Sequence, residues 1–435
     1  MLKAKKFLLA VLLCFIFAFP VSAIDGISVE ARSAMLVDVR SGEVLFEQYA
    51  DTQIYPASIT KIMTALLTVE NCELDEVAEV TQHALSTISP DGSSAGLKAG
   101  EHMKVETLLY CLLLPSGNDA AAVLAEHIGG SISGFVSMMN SRAIELGCTG
   151  THYANPHGLH DEDHYTTARD TYLVVREFMK HDILTTISNT VTYVVPPTDV
   201  VSRERILNTT NYLISSNKTL KYLYSYARGI KTGTTTPAGY CLVSSAEKNG
   251  LYLVSILFGA GYDEASQSIM SYVETKRMFE WGFRNFETTV LVDAGEPVTE
   301  IGVTMGQETD RVVAVTESAI EHLMPVDFDS DKIVLTPWMY SESVEAPVIK
   351  GQYLGEVDVS YEGRSYGRVK LVALSGVDRS NFNYSVDRFT DWAKQPSVWI
   401  AVGGVALLII VYTVTTVAIK RKKRLRRIKK NGRYL

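Results

Sequence analysis

Residues 56–70 read PASITKIMTALLTVE, and the reading of this stretch governs the rest of the chain. Ile62, Ala65, Leu66 and Val69 recur at helical spacing, which predicts a helix with Ser58 on its opening turn. A serine there has unpaired backbone N–H groups and the positive end of the helix dipole beside it. Lys61 follows three residues later, one turn away on the same face. A desolvated lysine gives up its proton and then serves as base to a hydroxyl. The spacing alone equally suits an N-cap serine followed by a solvated lysine. It also recurs at Ser215–Lys218 and Ser245–Lys248.

Two further motifs separate Ser58 from these decoys. Ser116-Gly117-Asn118 follows the apolar run Leu112–Leu114 and Pro115, and Lys231-Thr232-Gly233 precedes a strand hairpin. Each is weak by itself: Ser-x-Asn recurs at Ser215–Asn217, and Lys-Thr-Gly suits an ordinary strand-end turn. Ser58, Ser116 and Lys231 occur in that order, whereas Ser215 lies only 16 residues before Lys231 and Ser245 lies after it. Ser-x-x-Lys, a Ser-x-Asn element and Lys-Thr-Gly in this order are the set shared by β-lactamases and penicillin-binding proteins.

The resemblance extends past the trio. YPASITKIMTALL (55–67), PSGNDAAAVLAEHIGG (115–130), ANPHGLHDEDHYTTARD (154–170) and GIKTGTTTPAGYCLV (229–243) resemble segments of low-molecular-mass penicillin-binding proteins, the serine-type D-alanyl-D-alanine carboxypeptidases. The likeness covers about residues 30–285, and the β-rich remainder resembles the family's second domain. It implies an α+β fold, with helices packed on a mostly antiparallel sheet. It implies removal of the terminal D-alanine from peptidoglycan stem peptides ending in D-Ala-D-Ala, which limits cross-linking, and acylation by β-lactam antibiotics. In that role Ser58 is the nucleophile and Lys61 its base, and Ser116 relays a proton with Lys231. Asn118 orients Lys61 and the substrate amide. Lys231, Thr232, Gly233 and Thr234 bind substrate, with the N–H groups of Ser58 and Thr234 as oxyanion hole. No cofactor and no metal is implied. Thr234 stands where many members have His, and FGAGYDEASQS (258–268) lacks the Arg that some use for the substrate carboxylate.

Composition fits this reading. With 46% hydrophobic and 21% charged residues, a largely disordered chain is excluded. Residues 1–23 read as a secretory signal, with Lys3, Lys5 and Lys6 before an uncharged apolar run (Phe7 to Phe19) and Val21-Ser22-Ala23 at the cleavage site. Residues 398–419 are uncharged and long enough to span a bilayer, with Trp399 at one interface. The ten basic residues from Lys420 onward make 420–435 a cytoplasmic tail, so the expectation is a single-pass protein of the cell membrane with its body on the outer face. Between the ends, 28 basic residues face 49 acidic ones, a poor surface for nucleic acid. The expected organisation is a catalytic domain over 24–286, a β-rich domain over 287–378 with period-2 runs such as RVVAVT and RVKLVA, and a polar stalk over 379–397.

Three other readings compete. A β-lactamase requires a carboxylate to activate the deacylating water, which Asp161, Glu162 or Asp163 would supply. His152, His157, His160 and His164 invite a metal reading, but the bland one is a polar loop of solvated or hydrogen-bonded histidines. A penicillin-binding sensor without turnover would need an effector larger than a 16-residue tail. Cys72, Cys111, Cys148 and Cys241 have spacings that fit neither a disulfide scaffold nor a zinc pattern.

Overall fold

The computed structural model describes residues 26–89 and 92–431, so the expected leader over 1–23 lies outside it. The chain divides into two compact units. The first ends at Thr288 and takes back Leu323–Phe328, and the second holds the remainder.

The first unit is built on five antiparallel strands: β1 (Ser33–Asp38), β2 (Val44–Gln48), β3 (Ala227–Thr235), β4 (Gly239–Lys248) and β5 (Leu251–Ala260). Their order is β2-β1-β5-β4-β3, so the N-terminal hairpin pairs with the C-terminal meander. Asn249 and Gly250 join β4 to β5 with φ of 51° and 84°, the doubly left-handed pair that matches strand twist in a two-residue hairpin. Met35 and Val37 join one hydrophobic cluster, and Ala34 and Leu36 join the other. Both faces are therefore buried, which is why β4 and β5 read as continuous apolar runs instead of alternating ones. On one face lie α1 (Lys61–Asn71), α2 (Val105–Leu113), α3 (Asn118–Gly129), α4 (Ile132–Glu145) and α5 (Ala168–Phe178). On the other, α6 (Met270–Asn285) buries Met278 and Phe279.

The helix expected to open at Ser58 opens later. Ala57–Thr60 forms a 3₁₀ turn and α1 starts at Lys61. Ala57 has φ of 49°, which no right-handed helix accommodates. The Thr60 hydroxyl donates back to the Ala57 carbonyl at 2.8 Å, closing the turn tightly. Ser58 thus sits on a tight turn ahead of the helix.

The second unit is a six-stranded sheet of β6 (Pro297–Thr304), β7 (Arg311–Thr316), β8 (Ile333–Met339), β9 (Ser343–Glu345), β10 (Tyr353–Tyr361) and β11 (Arg364–Ala373). The order is β8-β10-β11-β7-β6-β9, with only β6 and β9 parallel. Its core holds Ile301, Ala314, Val357 and Leu371. The segment read as a polar stalk contains a helix, α7 (Asn381–Lys394), with Phe382, Val386, Phe389 and Trp392 exposed. Then comes α8 (Pro396–Asn431), whose stretch Pro396–Arg427 is long and apolar enough to cross a membrane and is buried against nothing.

One loop fixes the turn that bears Ser58. Gly158 has φ of 87°, and a Cβ there would lie 1.9 Å from the Ala57 carbonyl oxygen. Gly250 has a similar φ of 84° but open space around it. Gly158→Ala should therefore cost about 2–4 kcal/mol, a fall of roughly 5–10 °C in unfolding midpoint, because it combines left-handed strain with a backbone clash. Gly250→Ala should lose clearly less, since only the strain acts. Equal losses in thermal unfolding would show that the loop yields freely.

Candidate active site

Lys61 is fully buried, and its amine has three neighbours within hydrogen-bond distance. Asn118 Oδ1 lies at 2.7 Å, the His157 carbonyl at 2.6 Å and Ser58 Oγ at 3.0 Å. The first two can only accept. A neutral amine has two N–H donors and one lone pair. Donating to Asn118 and His157 uses both donors and leaves the lone pair for the one partner with a proton to give, the Ser58 hydroxyl. The electrostatics favour this neutral form. Burial, then the nearby charge of Lys231, hold the Lys61 amine well below its ordinary range, against an opposing pull from Asp119.

The loop before α5 covers this amine. Besides the His157 carbonyl, the Pro156 carbonyl accepts from Thr64 at 2.6 Å. Burial pushes the His157 and His164 imidazoles down to about 3 and about 4, so both are neutral near pH 7. His164 Nδ1 accepts from the Ala154 N–H at 3.0 Å, which leaves Nε2 as the donor to Thr60 Oγ1 at 2.7 Å. The four clustered histidines therefore do not converge on one point. His152 Nδ1 meets the Asp163 carbonyl, and His160 stands edge-on to Tyr55.

Asn118 begins α3, and its backbone N–H donates to Ser93 at 2.8 Å. Asp119 beside it accepts from the N–H groups of Ala95 and Leu97 at 3.0 and 3.1 Å, tying residues 93–97 to the helix start. Gly117 is required by close approach: a Cβ there would meet the Cys111 carbonyl at 2.7 Å. Ser116 has φ of 64°, and its buried Oγ has no hydrogen-bond partner. A left-handed serine with an unsatisfied hydroxyl is costly, and such costs persist at sites that meet a ligand.

Strand β3 runs beside the turn at Ser58. A Cβ on Gly233 would lie 2.9 Å from the Ser58 nitrogen, so glycine lets the strand approach. Lys231 is 1% exposed, its amine donates to the Thr232 carbonyl at 2.9 Å, and burial pushes it down to about 7. Ser58, Ser116, Thr232, Gly233 and Thr234 line one cleft, with Lys61, Asn118 and Lys231 buried behind it. All eight residues singled out in the sequence thus gather in one place. The structure adds residues that no motif marked: the His157 carbonyl, and Thr210, whose Oγ1 is 2.6 Å from that of Thr232. Tyr212 and Tyr272 also line the cleft. Asp161, Glu162 and Asp163, the carboxylates a β-lactamase reading needs, are exposed. Cys72, Cys111, Cys148 and Cys241 are all free thiols.

The family model for D-alanyl-D-alanine carboxypeptidases matches residues 20–261, and the model for the C-terminal domain of penicillin-binding protein 5 matches residues 286–379. Among curated proteins, D-alanyl-D-alanine carboxypeptidase DacC of Escherichia coli is 30% identical over 385 residues, spanning 85% of this chain and 91% of its own. DacF of Bacillus subtilis is 29% identical over 372 residues, 84% of this chain and 90% of its own. The crystal structure of penicillin-binding protein 5 from Haemophilus influenzae superposes with a TM-score of 0.60 at 26% identity, covering 82% of this chain and all of that one. A family match over more than half the chain, on a fold that gathers the three motifs at one cleft, makes this protein a member of the D-alanyl-D-alanine carboxypeptidase family of penicillin-binding proteins.

Proposed function

We propose that this protein hydrolyses the terminal D-alanine from peptidoglycan stem peptides through an ester on Ser58. The observation that carries the reading is the buried amine of Lys61, held by two obligate acceptors with Ser58 Oγ at 3.0 Å. Ser58 Oγ attacks the carbonyl of the penultimate D-alanine while its proton passes to Lys61. The oxyanion that forms meets the N–H groups of Ser58 and Thr234. Collapse breaks the C–N bond. The leaving nitrogen takes a proton by way of Ser116, which Lys231 replenishes, and D-alanine departs. The proton held by Lys61 returns by way of Ser116 to Lys231. Water then attacks the ester, its proton passing through Lys61 to Ser58 Oγ, giving the shortened peptide and free Ser58. Thr232 and Lys231 receive the substrate's terminal carboxylate, with Thr210 holding the Thr232 hydroxyl in place. With no arginine in the 258–268 segment, Lys231 is the cation for that carboxylate. Penicillin follows the same first step through its strained amide.

The membrane arrangement belongs to the same reading. The helix over Pro396–Arg427 anchors the chain, and the basic residues that follow Ile419 stay on the cytoplasmic side. The catalytic unit then faces the wall polymer. A tethered enzyme suits a fixed substrate.

The direct test is release of D-alanine from a peptide ending in D-Ala-D-Ala. The full chain should release it catalytically, and Ser58→Ala should lose at least about 10³-fold in rate together with covalent labelling by a fluorescent penicillin. Ser215→Ala and Ser245→Ala should label as the parent does. Labelling that survives Ser58→Ala would end the assignment, and stoichiometric labelling without turnover would point to a sensor.

The buried cation also has a signature in stability. Lys231 titrates at about 7 in the folded chain and near the ordinary lysine value, about 10.4, when unfolded. Below pH 7 both states are protonated and the full cost of burying the charge is present. As pH rises from 7 to 10, the folded state has lost the proton that the unfolded state still holds, so the fold gains stability. Lys231→Met removes this dependence. The variant should be more stable than the parent at pH 6 by on the order of a few kcal/mol, and the gap should close toward pH 10. A gap that stays constant in chemical unfolding across this range would show that Lys231 is not the titrating group.

A further inference from the structure

Away from the cleft, Cys72, Glu76 and His127 bring a thiol, a carboxylate and an imidazole within 4.8 Å of one another. Glu76 Oε1 lies 2.8 Å from His127 Nε2. We propose that Cys72, Glu76 and His127 form a site for a zinc-class divalent cation, with water completing a tetrahedron.

The donor types select the metal. Thiolate, imidazole and carboxylate suit zinc and its neighbours, whereas calcium and magnesium take oxygen ligands. Bond lengths of about 2.0–2.3 Å set tetrahedral ligand atoms about 3.3–3.7 Å apart. Separations of up to 4.8 Å must close and the 2.8 Å contact of Glu76 with His127 must open, both by side-chain movement. The backbone under them is already fixed. The Cys72 N–H donates to the Thr68 carbonyl at 3.0 Å, and the Glu76 N–H to the Glu73 carbonyl at 3.2 Å. The carbonyls of Leu74 and Glu76 accept from Glu106 and Val105 at 3.0 and 2.8 Å. His127 stands on the last turn of α3. The side chains of His127 and Glu76 are 24% and 43% exposed, so an ion has access from solvent. The ligand form of cysteine is the thiolate, so binding releases the thiol proton to solvent.

The location gives the site a structural consequence. Cys72 caps the C-terminus of α1 and His127 lies at the C-terminal end of α3, while Lys61 and Asn118 are the first residues of those helices. A bound ion would tie together the far ends of the two helices that present the amine and its carbonyl partner. The cysteine spacings carry no zinc pattern because two of the three ligands are a glutamate and a histidine from separate segments.

The test is titration of the full chain in detergent with cobalt(II), which reports a thiolate ligand by a near-ultraviolet charge-transfer band. The parent should bind one equivalent with that band. Cys72→Ser should lose the band, and His127→Ala should bind at least about 100-fold more weakly. Groups that only support a ligand cost about 10–100-fold, so a ligand's own loss starts at that range. Zinc should raise the unfolding midpoint of the parent and leave that of Cys72→Ser unmoved. Metal-free midpoints of both variants equal to the parent's exclude misfolding, and His127→Gln replaces His127→Ala if that variant is unstable. Absence of a stoichiometric band in the parent, its retention in Cys72→Ser, or unchanged affinity in the His127 variant would overturn the proposal.

Discussion

The site depends on keeping one amine dry. Lys61 is the first residue of α1, and the loop over residues 154–159 closes on it with the His157 and Pro156 carbonyls. Exposed to water, the same lysine would be protonated near pH 7, without the lone pair that the proposed base requires. Several features follow from this constraint. Gly158 must be glycine so that the loop can press against the turn at Ala57. His164 must be neutral to use its two nitrogens in opposite senses, one accepting from Ala154 and one donating to Thr60. Asn118 must begin α3, because there its Oδ1 meets the amine while its N–H holds the Ser93 loop.

Two buried lysines strain the same unit. Burial first, and then the charge of Lys231, depress Lys61. Burying them works against folding, and so do the left-handed Ser116 and its unsatisfied hydroxyl. The large cluster around α1, α2 and α3 offsets these terms with a continuous apolar core on one face of the sheet. This is the usual relation between a poised site and the scaffold that holds it.

Much of this was legible in the sequence, and the reasons differ by element. The hairpin of β4 and β5 announces itself through Asn249-Gly250, where turn chemistry is local. The six-stranded second unit shows in its period-2 runs. The three motifs become informative through their order, since Ser215 and Ser245 carry the same spacing in places that the order excludes. What the sequence withheld is non-local or belongs to the backbone. The 3₁₀ turn at Ala57–Thr60 arises from packing against the Gly158 loop, and helical periodicity cannot see it. The His157 carbonyl has no side-chain signature, because any residue there would offer the same oxygen. Thr210 meets Thr232 only through the tertiary fold, and Cys72, Glu76 and His127 converge only once α1 and α3 are packed.

The central claim is that the Lys61 amine is neutral when it meets Ser58. Selective isotopic labelling of the lysine side chains at the carbon beside the amine, with Lys61→Arg to assign the signal, reads this directly by nuclear magnetic resonance. The account predicts that the Lys61 signal is already in its deprotonated position at neutral pH, while exposed lysines titrate in their ordinary range. A Lys61 signal that titrates together with the exposed lysines, or above them, would contradict it.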